Sequence, residues 1–336
     1  MASQKISRND PAIIIDGKRI SLKPERLDVH DDVKLDADNP RIRYLVKSHN
    51  LKNPSQDQLF GLLWEVSGVQ SLMTKIRNNK GAIDPILVTQ DDIVIEGNCR
   101  LACYRHLNKG KDGAHFKTID VYRLPKITQL EIDILLSKYH VSGKISWRSY
   151  AQAGQIHKLK HDHNLKVEQI TATTGIREKD VRDLLKTYEI MTGHVLPNSP
   201  GKKGLRKFSH IYEYVKNPDP DLVAYRKGTY NDKEFAKLVT DGKIKRGSDV
   251  RKFPDVLRDA QALKTLKREN DGGKKAFAMV VRAQEFATLE KAKLVMEGMN
   301  SSLIEVLKKD KREQGIVRDL YTKARELAGI AGIGLK

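Results

Sequence analysis

The spacing of apolar residues divides the chain into a strand-bearing first third and a helical remainder. Ile13-Ile14-Ile15 and Ile20-Ser21-Leu22 flank Asp16-Gly17, which predicts a short β-ribbon over residues 11–27. Pro40 keeps Asn39 out of the helical region, so the acidic stretch before it ends in an extended or turn segment at Asn39-Pro40-Arg41. Over residues 55–78, Leu59, Leu62, Leu63, Val66, Val69, Leu72, Met73 and Ile76 recur at three and four, a helical period, with Gly81 as a stop. Pro85-Ile86-Leu87-Val88 and Ile93-Val94-Ile95 predict two strands joined by Gln90-Asp91-Asp92. Gly97 ends the second, a helix starts near Asn98, and Ile119-Asp120-Val121-Tyr122 supplies a closing strand. Residues 11–125 therefore predict a small α+β domain.

Beyond Ile127 the strand pattern stops. Residues 128–141, 148–163, 167–173 and 177–191 all have helical periodicity. Pro197-Asn198-Ser199-Pro200-Gly201-Lys202-Lys203-Gly204 has the composition of a linker, dividing a helical unit over 127–195 from another over 205–330. In the last unit Val280, Val281, Leu289, Leu294, Val295, Met299, Leu303, Ile304 and Leu307 mark one long helical pattern. Val317, Leu320, Tyr321, Ala324 and Leu327 mark a second, suited to a helical hairpin or to self-association as a homodimer. The expected fold class is α+β followed by all-α.

Charge sharpens this division. The 336 residues hold 62 Lys plus Arg and 43 Asp plus Glu, a net charge of +19. Residues 1–100 are almost neutral, with 15 basic and 14 acidic side chains, so the excess lies in residues 101–336, which hold 47 and 29. Such an excess points to a polyanion, most often nucleic acid, with mere solubility as the bland alternative. Two cysteines, no apolar leader after Met1 and no membrane-spanning run lead us to expect a soluble cytoplasmic chain with no membrane partner.

The candidate chemistry centres on Ile95-Glu96-Gly97-Asn98-Cys99-Arg100. A strand that ends at glycine and passes at once into a helix offers free N–H groups and a positive dipole end to an anion. Gly97 permits close approach, and Arg100 can add a planar fork. Cys99, Cys103 and His106 share a helical face, but zinc would need a fourth ligand, so no metal site is expected there.

In order, Asn39-Pro40-Arg41, Gly81-Ala82-Ile83-Asp84-Pro85-Ile86-Leu87-Val88 and Gly97-Asn98-Cys99-Arg100-Leu101-Ala102 resemble the ParB/sulfiredoxin-type domain of partition proteins and their relatives. That resemblance implies a ParB/sulfiredoxin-like fold over the first domain and a nucleotide, CTP or ATP, bound with Mg²⁺. The implied nucleotide or phosphate ligands are Arg41, Gly81, Gly97, Asn98, Cys99 and Arg100. Where ParB has Gly-Glu-Arg-Arg, Asn98 and Cys99 replace the Glu and the first Arg, and Asp84 stands in place of Gln. The sulfiredoxin site places its cysteine two residues before the arginine; here Cys99 directly precedes Arg100, and one residue turns a helix by about 100°.

Residues 167–188 match a helix-turn-helix, with Gly175 at the turn, Ile176 as plug, and Val167, Ile170, Val181, Leu184 and Leu185 at apolar positions. Arg177, Lys179, Arg182 and Lys186 are the candidate contacts to double-stranded DNA. Residues 146–153 resemble the segment that leads into this motif in ParB. Lys202, Lys203, Arg206 and Lys207 are candidate backbone contacts, and a second basic cluster spans 243–252; the bland reading of both is a solvated face. His157, Lys158, His161 and His163 suggest a polar helix face near phosphate. The leading expectation is a ParB-like, nucleoid-associated DNA-binding protein in partition, regulation or a mobile-element or defence role. The alternatives are an NTPase or nuclease using Glu96 and Asp84, and a protein-interaction scaffold.

Overall fold

The computed structural model describes residues 11–15, 17–111, 113–140, 149–268, 271–297 and 310–332. The chain opens with strands β1 (Ala12–Ile15) and β2 (Lys18–Ser21), an antiparallel hairpin in which Ile15 pairs with Lys18 and Gly17 takes φ +76°. A four-stranded sheet follows, built from β3 (Lys23–Asp28), β4 (Ile86–Val88), β5 (Val94–Glu96) and β6 (Thr118–Arg123) in the order β3-β6-β4-β5. β4 runs parallel to β6; the other pairs are antiparallel.

Four helices pack around this sheet: α1 (Arg43–Ser48), α2 (Gln56–Trp64), α3 (Val69–Asn78) and α4 (Asn98–Asn108). The single helix expected over 55–78 is thus two. Gly68 stands at φ +92°, a left-handed conformation that no α-helix continues through, so the chain turns and restarts at buried Val69. Ser55 begins α2 with a capping box to Gln58. Arg105 of α4, 6% exposed, donates to Val29 O (2.6 Å), Val33 O (2.6 Å) and Gln56 Oε1 (3.0 Å), and so fastens the acidic loop between β3 and α1 to the helix layer.

The rest is helical: α5 (Gln129–His140), α6 (Ser149–His161), α7 (Val167–Thr174), α8 (Glu178–Ile190), α9 (Gly201–Leu205), α10 (Phe208–Lys216), α11 (Pro220–Arg226), α12 (Asn231–Thr240), α13 (Gly247–Arg258), α14 (Ala260–Arg268), α15 (Gly272–Glu297) and α16 (Lys311–Ile330). The ParB-like lead-in begins at 146–148, outside the described residues. So do Met299, Leu303, Ile304 and Leu307 of the C-terminal pattern.

The stretch 197–204 is not a spacer. Ser199 and Gly204 are buried, α9 starts at Gly201, and the Gly201 N–H donates to Tyr44 Oη at 3.1 Å. One apolar cluster runs without interruption from Ile15 and Leu22 through Leu184 and Leu196 to Phe253 and Val280. Composition suggested a linker because Pro and Gly break regular structure; here the break is packed, because Val195 and Leu196 before it are core residues.

Asp133 of α5 is the polar centre of the helical part. Its carboxylate, 2% exposed, accepts from Gln155 Nε2 (3.1 Å) and Lys158 Nζ (2.9 Å) of α6 and bonds His163 Nε2 (2.7 Å). Burial raises this carboxyl, but hydrogen bonds from His163, Lys158 and Gln155 outweigh it and hold it below the usual carboxylate range. Lys158 and His163, read as part of a phosphate-facing helix face, therefore turn inward to this acid. At the C-terminal end, α15 is anchored by Ala276, Phe277 and Val280, while Phe286, Leu289, Leu294 and Val295 are exposed. On α16, Ile316, Val317, Leu320, Tyr321, Leu327 and Ile330 are also exposed. No helix among the described residues is long and apolar enough to cross a membrane.

Candidate functional site

A cavity of about 1070 Å³ opens between the first hairpin, α3, the start of α4 and the end of α5. It brings together Arg41, Gly81, Asp84, Glu96, Gly97, Asn98, Cys99 and Arg100, which lie up to 59 positions apart in the chain. Leu72, Ile76, Leu87, Ile95 and Leu136 line its apolar part. The N-termini of α3 and α4 both face it, each preceded by a left-handed glycine, neither with a side-chain cap nor an acid in its first turn.

The geometry redistributes the roles expected of these residues. Gly97 stands at φ +105°, and a Cβ there would lie 2.3 Å from Ile86 Cγ2, so β4 alone demands glycine. Asn98 is 2% exposed; its Oδ1 accepts from the Asp36 N–H (2.9 Å) and its Nδ2 donates to Val94 O (2.7 Å). Its side chain ties the acidic loop to β5. Arg100 spends its guanidinium on Asp84 O (2.6 Å), Pro85 O (3.2 Å) and an ion pair with Glu96. Arg100 holds the rim of the cavity rather than reaching into it. Burial pushes the Cys99 thiol up, and the Cys103 thiol up to about 12, so neither is an activated nucleophile.

Two cations remain. Arg41 lines the cavity with no side-chain hydrogen bond or ion pair among the described residues, and so does Lys75 of α3. Sequence reasoning missed Lys75, because it lies on the outward face of an ordinary amphipathic helix until Gly68 turns that helix toward the cavity. It missed Tyr139 too, which lies on α5 at the far wall. Burial and the negative charge of Glu96 and Asp84 raise the Tyr139 hydroxyl, while Arg100 opposes them. For a bound nucleotide, Arg41, Lys75 and the two helix starts form a fitting set for the phosphates. Of the two carboxylates there, Asp84 is exposed at the rim and Glu96 is paired to Arg100. No group of three or more His, Cys, Asp or Glu gathers as metal ligands among the described residues.

The second candidate site is the pair α7–α8. Gly175 turns the chain at φ +72°, its N–H donating to Thr171 O, and Arg177 precedes the next helix in extended conformation. Val167, Ile170, Val181, Leu184, Leu185 and Ile190 are buried, which leaves one exposed strip on α8 at Glu178, Lys179, Arg182, Lys186 and Glu189. Three of the four cations expected to meet DNA already have partners. Arg177 pairs with Asp180 (2.7 Å), Arg182 with Glu178 (2.9 Å), and Lys186 with Asp232 of α12 (2.7 Å). Lys202 pairs with Glu65 of the first domain (2.9 Å), whereas Lys203, Arg206 and Lys207 carry no ion pair among the described residues.

No family model matches the chain, and no curated protein does. Among solved structures it is similar to the C-terminally truncated chromosome-partitioning protein ParB from Caulobacter crescentus complexed to the centromeric parS site. The identity is 13%, over 68% of this chain and 98% of that one, with a TM-score of 0.34. It is also similar to a Pnob8-like ParB-N domain, at 14% identity over 91% of this chain and 98% of that one (TM-score 0.28). The same Caulobacter protein complexed with CTP-gamma-S overlaps 61% of this chain and 97% of its own, at 16% identity and a TM-score of 0.23. Overlaps of this extent leave the functional reading to the chain's own residues.

Proposed function

We propose that the chain is a ParB-like DNA-binding protein in which a near-neutral first domain binds a nucleotide and the helical part binds duplex DNA. The observation that supports it most is the α7–Gly175–α8 geometry. Two short helices meet at a tight left-handed turn, and the second is buried on every side except one strip bearing Lys179, Arg182 and Lys186. On this reading α8 enters the major groove, with Arg177 and Lys179 at its N-terminal end. Lys203, Arg206 and Lys207 reach phosphates, and Lys202 does so by leaving Glu65.

In the cavity, the nucleotide's phosphates lie against Arg41, Lys75 and the first turn of α4, and its base takes the apolar part. Mg²⁺ would neutralise phosphate charge beside Asp84. The reading assigns to this chain the ligand classes named for the ParB structures above, and places it on the nucleoid of the cytoplasm as a homodimer joined through the exposed apolar faces of α15 and α16. Three domains over 11–125, 127–195 and 205–330 belong to this proposal as functional units, although their core is shared.

Calorimetric titration with CTP and with ATP, with and without Mg²⁺, tests the first half. Wild type should bind one of them and Arg41→Ala should bind it at least about tenfold more weakly. Duplex binding at fixed salt tests the second, with Arg182→Ala expected to relax sequence discrimination. Equal discrimination in wild type and variant would remove α8 from the role of reading helix.

A further inference from the structure

The basic segments 202–207 and 243–252 are separate in the sequence but adjoin in the fold. His210 of α10 uses Nε2 to bond Lys245 O at 3.0 Å, just before α13 begins. α10 lies between α8 and α13, with Ile211 and Tyr214 buried on one side and Phe253 of α13 in the same core. Arg206 and Lys207 lie within about one turn of His210, and further along α10 Glu213 stands 3.9 Å from Arg251 of α13, so the two basic segments meet along the contact of these helices.

We infer that this joint face of α10 and α13 is a second DNA-contact surface, one that grips the phosphate backbone of the duplex beside the groove taken by α8. It rests on the reading of α7–α8 as the DNA-binding pair. Two acids lie among its six cations. Asp249 is occupied as a cap, accepting the N–H groups of Lys245 (3.1 Å) and Arg246 (2.9 Å). Glu213 is shared between Lys216 (3.0 Å) and, more distantly, Arg251 (3.9 Å). A net positive face remains, and Lys245, Arg246 and Arg251 are exposed.

The cations of this face differ from those of α8 in what they already hold. At α8 a phosphate must displace Asp180, Glu178 or Asp232 before it gains Arg177, Arg182 or Lys186, and Lys179 is the one cation of the four with no ion pair among the described residues. On the α10–α13 face Arg206 and Lys207 have no carboxylate partner to displace among the described residues. The sequence-independent attraction therefore belongs to this flank, while the paired side chains of α8 are released only where base contacts compensate.

The test uses the full chain and a labelled duplex of about 25 base pairs, with anisotropy titrations from about 50 to 300 mM KCl. Wild type is compared with Lys245→Gln/Arg246→Gln/Arg251→Gln and with a charge-matched control, Lys52→Gln/Lys111→Gln/Lys117→Gln, on the exposed surface of the first domain. Each phosphate contact contributes about 0.9 to the slope of log K against log salt. The α13 variant should lose about 2 to 3 from that slope and bind about 10- to 100-fold more weakly, while the control changes little. Arg206→Gln/Lys207→Gln, at the other half of the surface, should lose about 2. If wild type binds and both surface variants keep its slope, the surface is not a DNA contact. If they fall only as far as the control, the effect is bulk charge, and the inference fails. Absence of duplex binding by wild type would overturn the DNA reading itself, and capture of an acidic protein by the same face would then replace it.

Discussion

Replacing Asp133 by Asn removes one charge from the helical part without opening a cavity. The amide keeps one acceptor oxygen, which can still serve Gln155. Its NH₂ group then faces Lys158 Nζ and His163 Nε2, which sit 2.9 and 2.7 Å from the carboxylate oxygen it replaces. Both partners are about 15% exposed, so neither recovers full hydration by moving outward. Breaking a buried pair and leaving a cation behind costs about 3 to 5 kcal/mol, and the residual exposure places this case near about 3 kcal/mol. For a unit of this size that lowers the thermal midpoint by about 6 to 12 °C, read by circular dichroism at neutral pH. The pH dependence has a definite sign. The Asp133 carboxyl is held below its ordinary value in the fold, so its stabilisation is present above the unfolded pKa and is lost as pH falls through the lower folded value. The gap between wild type and variant should be constant from neutral pH down to about 5 and close in more acid solution. Asp133→Asn/Lys158→Met, with no stranded ammonium, should recover about 1 to 2 kcal/mol. A loss below about 1 kcal/mol, or no recovery in the double variant, would refute the description of Asp133 as the charge on which α5, α6 and the turn before α7 converge.

Gly97→Ala should cost about 2 kcal/mol or more in urea denaturation, because it adds a left-handed alanine to a 2.3 Å approach to Ile86. Burial, with the nearby charge of Asp38, pushes the Asp36 carboxyl up to about 6, although the Asp38 N–H and the cations Lys158 and Arg43 oppose it. The fold therefore holds that proton more tightly than the unfolded chain does, and this acid lowers stability as pH rises from about 4 to 6. Asp36→Asn should gain about 1 to 3 kcal/mol near pH 7.5 and nothing below about pH 4, measured as melting against pH. In the cavity, Arg41→Ala and Lys75→Ala should weaken nucleotide binding with little change in melting temperature. Arg100→Ala should lower the melting temperature, because three acceptors on Asp84, Pro85 and Glu96 lose their donor.

Much of the local structure follows from the sequence because it is decided locally. The short β-branched runs Ile13–Ile15 and Ile86–Val88, the period near four in Val181, Leu184 and Leu185, and the turns at Gly17 and Gly175 each rest on preferences set within a few residues. The same locality explains the misses. A helical period runs through residues 55–78 and gives no sign that Gly68 is left-handed, and the Pro-Gly content of 197–204 says nothing about what packs over it.

The roles of the site residues are of another kind. That Gly97, Asn98 and Arg100 belong beside Arg41 and Asp84 is readable from the order of motifs. That Asn98 and Arg100 are spent on Asp36, Val94, Asp84 and Glu96, leaving Arg41 and Lys75 as the cavity's cations with no partner among the described residues, depends on contacts up to 62 positions apart. Likewise the +19 charge and its concentration beyond residue 100 are properties of the sequence, set before folding. Which of those cations are already neutralised is not. Lys186 meets Asp232, Lys202 meets Glu65, Lys158 meets Asp133, and Arg206 and Lys207 meet no carboxylate among the described residues, because an ion pair falls off within a few ångströms and only the packed chain sets those distances.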